Sequence, residues 1–326
     1  MTTDAPPDSA RTGARAASPA AVWSALVTVY LVWGSTYLAI AVVAQTMPPQ
    51  LTMGLRFITA GVVMAAVIAV VKGPGALRVT GRELASAGLV GVLLLAIGMG
   101  NLVLAERYVP SGVAALIVAV VPLWVVLLRA GTGDRPVLLT WLGVTVGLAG
   151  TAVLVLPGSA GGVGGADSGT RTLWSLAIVV GSMAWAIGSF LAPRLPTPGN
   201  PFLLTTYEML VGGLVLGALG LVRGERFSSE SVAAISTSSL VAFGYLVVVG
   251  SLFAFTAYVW VLDHAPLSLV MTYAYVNPVV AVFLGWLVLH EPLTGGVLVG
   301  GAVVVVGVLL VVQAERLRGT VPIAPD

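Results

Sequence analysis

Ten times along this sequence, some twenty residues pass with almost no charge: 23–43, 51–71, 84–104, 111–129, 137–156, 174–193, 203–222, 239–261, 267–289 and 296–313. A bilayer core about 30 Å thick takes roughly 20 helical residues to cross. In hydrocarbon every backbone N–H and C=O must find its partner inside the protein, so a spanning segment is a helix or part of a closed barrel. Barrel strands would read as alternating segments of about ten residues. These runs are continuous and twice as long, so they predict an all-α membrane protein of ten transmembrane helices. Composition agrees: 58% of the 326 residues are hydrophobic and 9% are charged, against roughly 25% charged in a soluble domain.

Several function classes fall away at once. The fifteen Lys and Arg residues are scattered over short loops, so no basic groove for nucleic acid forms. Cysteine is absent, which removes disulfides, thiolate chemistry and Cys-ligated metal. The two histidines, His264 and His290, stand at the ends of apolar runs. Neither a metal nor an organic cofactor is expected. Two motifs hint at enzymes and fail on spacing. Gly131-Thr132-Gly133-Asp134 looks like an intramembrane aspartyl-protease motif but has no second aspartate inside a span. His290-Glu291 lacks the second histidine of a zinc-binding helix.

The first run, 23–43, is too long for a 7–15-residue signal core and reads as a retained helix. Residues 1–20, rich in Ala, Pro, Ser and Thr, read as a disordered cytoplasmic tail, 157–172 as a glycine-rich linker, and 314–326 as a second cytoplasmic tail. Ten of the basic residues fall in loops on one side of the predicted topology and four on the other. The richer side is expected to be cytoplasmic, with both termini there.

The linker divides two similar halves, 21–156 and 173–313. Pro110, Pro122 and Pro136 recur 156 residues later as Pro266, Pro278 and Pro292. Trp33, Pro49 and Arg56 correspond at an offset of 152 to Trp185, Pro201 and Glu208. Five helices is an odd number, so the second half enters the membrane from the opposite side. Two inverted repeats around one central site is a plan of secondary transporters. A membrane-embedded scaffold or receptor subunit with the same duplication is the alternative.

Short motifs then carry a resemblance. Trp33-Gly34-Ser35, Leu55-Arg56-Phe57, the stretch from Ser268 to Asn277-Pro278, and His290-Glu291-Pro292-Leu293 before a glycine-bearing last helix resemble the EamA-type family of the drug/metabolite transporter superfamily. The chain is similar to its ten-helix members over residues 22–313. Where the second half has Glu291 the first has Arg135, and Trp185 is not followed directly by glycine. The resemblance implies secondary transport, often export, of an amino acid, another metabolite or a drug. A bacterial inner membrane fits, with the lipid bilayer and a small solute as partners. A monomer is the simplest assembly and a dimer the alternative.

Arg56 and Glu208 are the ionisable side chains well inside spans. A charge near the bilayer centre costs about 2.5–3.5 kcal/mol on insertion scales, so it faces a cavity, a partner or the interface. Two readings stand side by side: both snorkel, or Arg56 meets an anionic cargo while Glu208 handles a proton or cation. Tyr30, Trp33 and Tyr37 share a helical face, as do Tyr273 and Asn277, and Trp185 and Ser189. Such stripes pack helices or line a binding site. Ser35 and Asn101 are further polar candidates within spans. Pro122 and Pro278 fall inside the fourth and ninth helices, freeing the carbonyls of Val118 and Ala274. The matched pair either interrupts both helices along a substrate pathway or is a plain kink that helps the bundle pack.

Overall fold

The computed structural model describes residues 18–156 and 165–320. Ten spans appear in chain order: α1 (Pro19–Thr46), α2 (Pro49–Lys72), α3 (Gly81–Ala105), α4 (Ser111–Gly131), α5 (Leu138–Val155), α6 (Ser168–Leu191), α7 (Pro201–Val222), α8 (Thr237–Tyr245 continuing as Leu246–Phe253 and Ala254–His264), α9 (Leu267–Val270 and Tyr273–Leu289) and α10 (Gly295–Thr320). Among the described residues nine of these are long and apolar enough to cross a bilayer, and the unbroken part of α9, Tyr273–Leu289, is a shorter apolar helix.

Several helices overrun their apolar runs, because polar residues cap them beyond the bilayer core. Ser18 caps α1 and accepts from Ala21 N at 3.2 Å. Thr80 and Glu83 form a reciprocal capping box at α3, which satisfies two otherwise orphaned donors. Asp167 caps α6, so 168–172 of the expected linker are helix instead. Residues 157–164 of that linker lie outside the described residues. The expected tails are also shorter: α1 begins at Pro19 and α10 runs to Thr320.

The halves interlock as inverted repeats should. The most extensive packing pairs each helix with its own counterpart, α2 on α7 and α5 on α10. Small residues permit it. A Cβ added at Gly54 would stand 2.7 Å from Gly217 N, and one at Gly150 would stand 2.6 Å from Val304 N. Side chains at such positions would hold the backbones apart. The remaining helices exchange partners: α1 packs on α8 and α9 of the other half, and α6 packs on α3 and α4.

Two pairs of irregularities sit at matched places. Val92–Met99 of α3 and Leu246–Phe253 of α8 are both eight-residue π-helical segments; both were missed in the sequence because π-widening leaves no compositional mark. Helices α4 and α9 are both interrupted, but not in the same manner. In α4 the break is at Ala119–Val120 and Pro122 opens the second piece. In α9 the break comes at Met271–Thr272, and Pro278 lies inside Tyr273–Leu289. Pro278 thus lies inside a helix, as expected, and the break in α9 falls elsewhere. The proline is absorbed within a continuous helix, and the chain turns nearly two turns earlier through three-residue bonds such as Ala274 N to Met271 O at 3.1 Å.

Candidate functional site

Where α1 meets α8 and α9, three aromatic side chains converge. Trp33 lies 5.0 Å from Tyr258 and 5.4 Å from Tyr273 by ring centroids, and Tyr258 meets Tyr273 edge-on at 5.7 Å. The edge-to-face geometry follows from the aromatic quadrupole. Phe255 and then Phe202 of α7 extend the row at 6.5 and 6.1 Å. The site therefore draws on both halves.

Polar groups hold the interrupted part of α9 against α1. The Tyr30 hydroxyl is hydrogen-bonded to the Thr272 hydroxyl, which itself donates to Leu269 O at 2.5 Å. With its amide nitrogen turned to the two carbonyls, Asn277 donates to Tyr273 O and Tyr30 O at 3.3 Å each. Tyr30, Trp33, Tyr273 and Asn277 thus form one assembly. Tyr37 lies two turns beyond Tyr30 along α1.

Arg56 enters from α2. It is 5% exposed, and its Nε donates to Ser251 Oγ at 3.0 Å. Its guanidinium also sits 4.9 Å from the Phe57 ring centroid and 3.8 Å from Met53 Sδ. Ser251 belongs to the π-helical stretch of α8 and donates in turn to Leu246 O at 2.9 Å. Arg129 forms ion pairs with Asp134 at 2.5 Å and with Glu315 at 2.6 Å, well away from Arg56 in sequence. Among the described residues Arg56 has no carboxylate within ion-pair distance. Ser251, Phe255 and Tyr258 are spaced four and three apart on α8, which places them along one face. That face runs from the guanidinium to the aromatic trio.

Glu208 follows the first residue of α7 by seven positions, as Arg56 follows the first of α2. At 1.5 Å per residue both sit roughly 10 Å into their helices, from opposite faces of the bundle. They form no ion pair. Glu208 is half-buried, and its backbone is pressed against α3: a Cβ at Gly91 would lie 2.7 Å from Glu208 Cα.

The other sequence candidates lie apart from the aromatic trio. Trp185 packs on the α3 π-helical segment, with its ring 3.1 Å from where a Gly98 Cβ would stand. Asn101 meets α6 at Gly181. Beside them Trp124 Nε1 donates to Ser182 Oγ at 3.0 Å. This is the repeat counterpart of the α1–α8–α9 contact. Ser35 is on the far face of α1, where the Tyr245 hydroxyl donates to it at 2.6 Å while its own hydroxyl donates to Val32 O. Both line a shallow groove of about 520 Å³ with Leu31, Val279 and Phe283, which are exposed apolar residues of the lipid-facing surface.

Sequence reasoning missed Ser251, Phe255, Tyr258 and Glu106. The first three carried a legible signal, their common face on α8. Glu106 carried none: at a span end beside Arg107 it reads as an ordinary interfacial charge, yet it is 5% exposed.

Comparison with known proteins places this architecture. The EamA-like transporter family matches residues 21–156 and 172–313, one match per repeat. The chain is 35% identical over 303 residues to the uncharacterized inner membrane transporter YedA of Escherichia coli strain K12, covering 93% of this chain and 94% of that one. An uncharacterized transporter of Archaeoglobus fulgidus is 24% identical, with 89% and 98% covered. A crystal structure shares the fold with a TM-score of 0.59 at 22% identity, covering 92% of this chain and 99% of its own. Two matched repeats, ten interlocked spans and relatives over nearly the whole length lead to one conclusion: this chain belongs to the EamA-like transporter family.

Proposed function

We propose that this protein is a secondary transporter that moves a small solute with an anionic group and an apolar or aromatic body, by alternating access of its two inverted repeats. The observation that carries the reading is Arg56. A buried guanidinium without a carboxylate is costly unless something else supplies negative charge. Cargo carrying a carboxylate is suited to it, because a guanidinium donates two parallel hydrogen bonds to such a group. Trp33, Tyr258 and Tyr273 offer the body of the same molecule a flat apolar wall. Amino acids, related metabolites and drug-like acids meet both requirements.

Several observations support the transport cycle. The site lies between the halves, the π-helical stretches are matched, and the fourth and ninth helices are both broken, as in transporters whose gates are related by symmetry. The excess of Lys and Arg in loops on one side supports cytoplasmic termini. The relative from the Escherichia coli inner membrane supports a plasma-membrane location, and the resemblance to the superfamily supports export.

Counterflow into liposomes loaded with a panel of amino acids, organic acids and drug-like anions tests the reading. Exchange of at least one anionic solute, weakened about 10–100-fold in affinity by Arg56→Gln, is expected from loss of charged hydrogen bonds worth about 1.5–3 kcal/mol. A folded protein that exchanges nothing across the panel would favour the membrane scaffold instead.

A further inference from the structure

Glu106, Glu225 and Glu291 lie at one end of the bundle, the end that holds the loops 47–48, 106–110, 223–236 and 290–294. Two of them have evident structural work. Glu225 accepts from Gln50 N at 3.3 Å and Leu51 N at 2.8 Å, capping α2. Glu291 accepts from Ser111 N at 2.7 Å and Gly112 N at 3.1 Å, capping α4. Both are residues of the second repeat that tie down helix starts of the first. Negative charge is favourable at such positions, where the N–H groups of the first turn are otherwise unpaired.

The third, Glu106, caps nothing. It follows the last residue of α3, is 5% exposed, and neither of its carboxyl oxygens has a hydrogen-bond partner. The surroundings are sealed: Ala105 and Val109 are buried, as is every residue of Ser111–Ile117. Among the described residues no cation forms an ion pair with it. Arg107, next in the chain, turns its Nε to Ala44 O at 3.3 Å, and Tyr108 stacks on Trp174 at 5.5 Å. The titratable groups whose charges reach it are Tyr37 of α1 and Glu291 across the repeat boundary. An ionised carboxylate there would be desolvated, unbonded and facing a second carboxylate.

We infer that Glu106 is a proton-binding site of the conformation closed at this end, and that opening the seam between the repeats there releases the proton. When two nearby carboxyls differ in environment, the one with N–H donors keeps the charge and the one without holds the proton. Closing the seam buries Glu106 and brings Glu291 against it, and both changes favour the neutral acid. Opening admits water and carries Glu291 away. The closed state thus binds one more proton than the open state. Its advantage is complete at low pH and disappears as pH rises through the closed-state titration. The inference rests on the alternating-access reading for its open state, but the site needs no cargo to be observed.

Two measurements on the full-length protein in lipid test it. The infrared spectrum in the wild type should contain the carbonyl stretch of a protonated carboxylic acid, lost in Glu106→Gln and retained in Glu208→Gln. Spin labels across the seam, on the 106–110 and 290–294 loops, should report a closed-to-open ratio that falls up to about tenfold per pH unit through one titration. Glu106→Gln, which keeps the shape and the neutral state, should remain closed at all pH values. If the protonated-acid band is unchanged in Glu106→Gln, the inference is overturned even if that variant shifts the seam. Closure that follows sodium concentration at constant pH would replace the proton with a metal cation and likewise overturn it. Absence of transport in liposomes would leave both measurements unaffected, so the two readings fail separately.

Discussion

Glu291, in the loop between the last two helices, holds the start of a helix 180 residues earlier: its carboxylate accepts from the backbone N–H of Ser111 at 2.7 Å. With Gly112 as second donor, the contact fastens α4 of the first repeat to the second. Hydrogen bonds to a charged group are worth about 1.5–3 kcal/mol each. Glu291→Ala should therefore lower the melting temperature in detergent clearly. Glu291→Gln, which keeps one oxygen acceptor but turns an NH₂ toward the other donor, should fall between. Equal melting of all three proteins would show that the cap is not holding the repeats.

The Arg56–Ser251 contact predicts a split between stability and function. Ser251→Ala removes the acceptor of a buried charged donor and should cost about 1–3 kcal/mol of stability. Arg56→Lys retains the charge but has no planar fork for a carboxylate. It should weaken exchange of anionic cargo while changing that of neutral solutes little. The affinity ratio between an acid and its amide, measured in both proteins, checks this.

Two glycines facing the same helix contact should respond in opposite directions. A methyl at Gly54 would meet Gly217 N at 2.7 Å and Gly213 O at 2.8 Å, whereas one at Gly217 would meet nothing within 4 Å. Gly54→Ala should destabilise by about 1–3 kcal/mol through forced separation of α2 and α7. Gly217→Ala should be neutral or stabilise by up to about 1 kcal/mol, the helix-propensity difference. Thermal unfolding of the two single variants decides it.

His290 ends α9 with φ of 54°, in the left-handed region. That conformation costs an ordinary residue about 1–2 kcal/mol and a β-branched one more. His290→Gly should match or exceed the wild-type melting temperature, and His290→Val should fall below it. The same melts also test whether the turn at 290 sets the aim of Glu291: His290→Val should lose most of the stability that Glu291→Ala loses.

Asp167 predicts a local pH effect outside the membrane. Its carboxylate accepts from Thr170 N at 2.7 Å, which together with the Thr170 hydroxyl holds its pKa below the usual 3.8. A depressed carboxylate stabilises the helix start above the unfolded-state pKa, and that stabilisation is lost as pH falls through the lower folded value. Hydrogen-exchange protection at the Thr170 amide should drop over that acid range and be independent of pH there in Asp167→Asn.

Much of this fold was readable in one dimension. Apolar length is a local property, so ten spans could be read from runs such as 23–43 and 203–222, and the odd count per half implied inversion. Polar caps displaced the ends: Asp167 and Ser18 extended helices into stretches that composition assigned to linker and tail. The site was readable only in part. Trp33, Tyr273, Asn277 and Arg56 stood out as large or polar groups inside spans, and Tyr258 escaped because its partners lie 225 and 15 residues away in sequence.

By itself, the sequence determined that the chain is a duplicated helical membrane protein, since hydrophobic length and proline spacing are written along the chain and lipid leaves the backbone few options. Tertiary structure decided which polar residues matter. Whether a buried charge costs or contributes free energy depends on what stands within a few ångströms of it, and those neighbours come from the other repeat. Glu291 and Glu106 are alike as letters in a loop. Packing gives one of them two N–H donors and the other none, and that difference makes the first a clamp and the second a place for a proton.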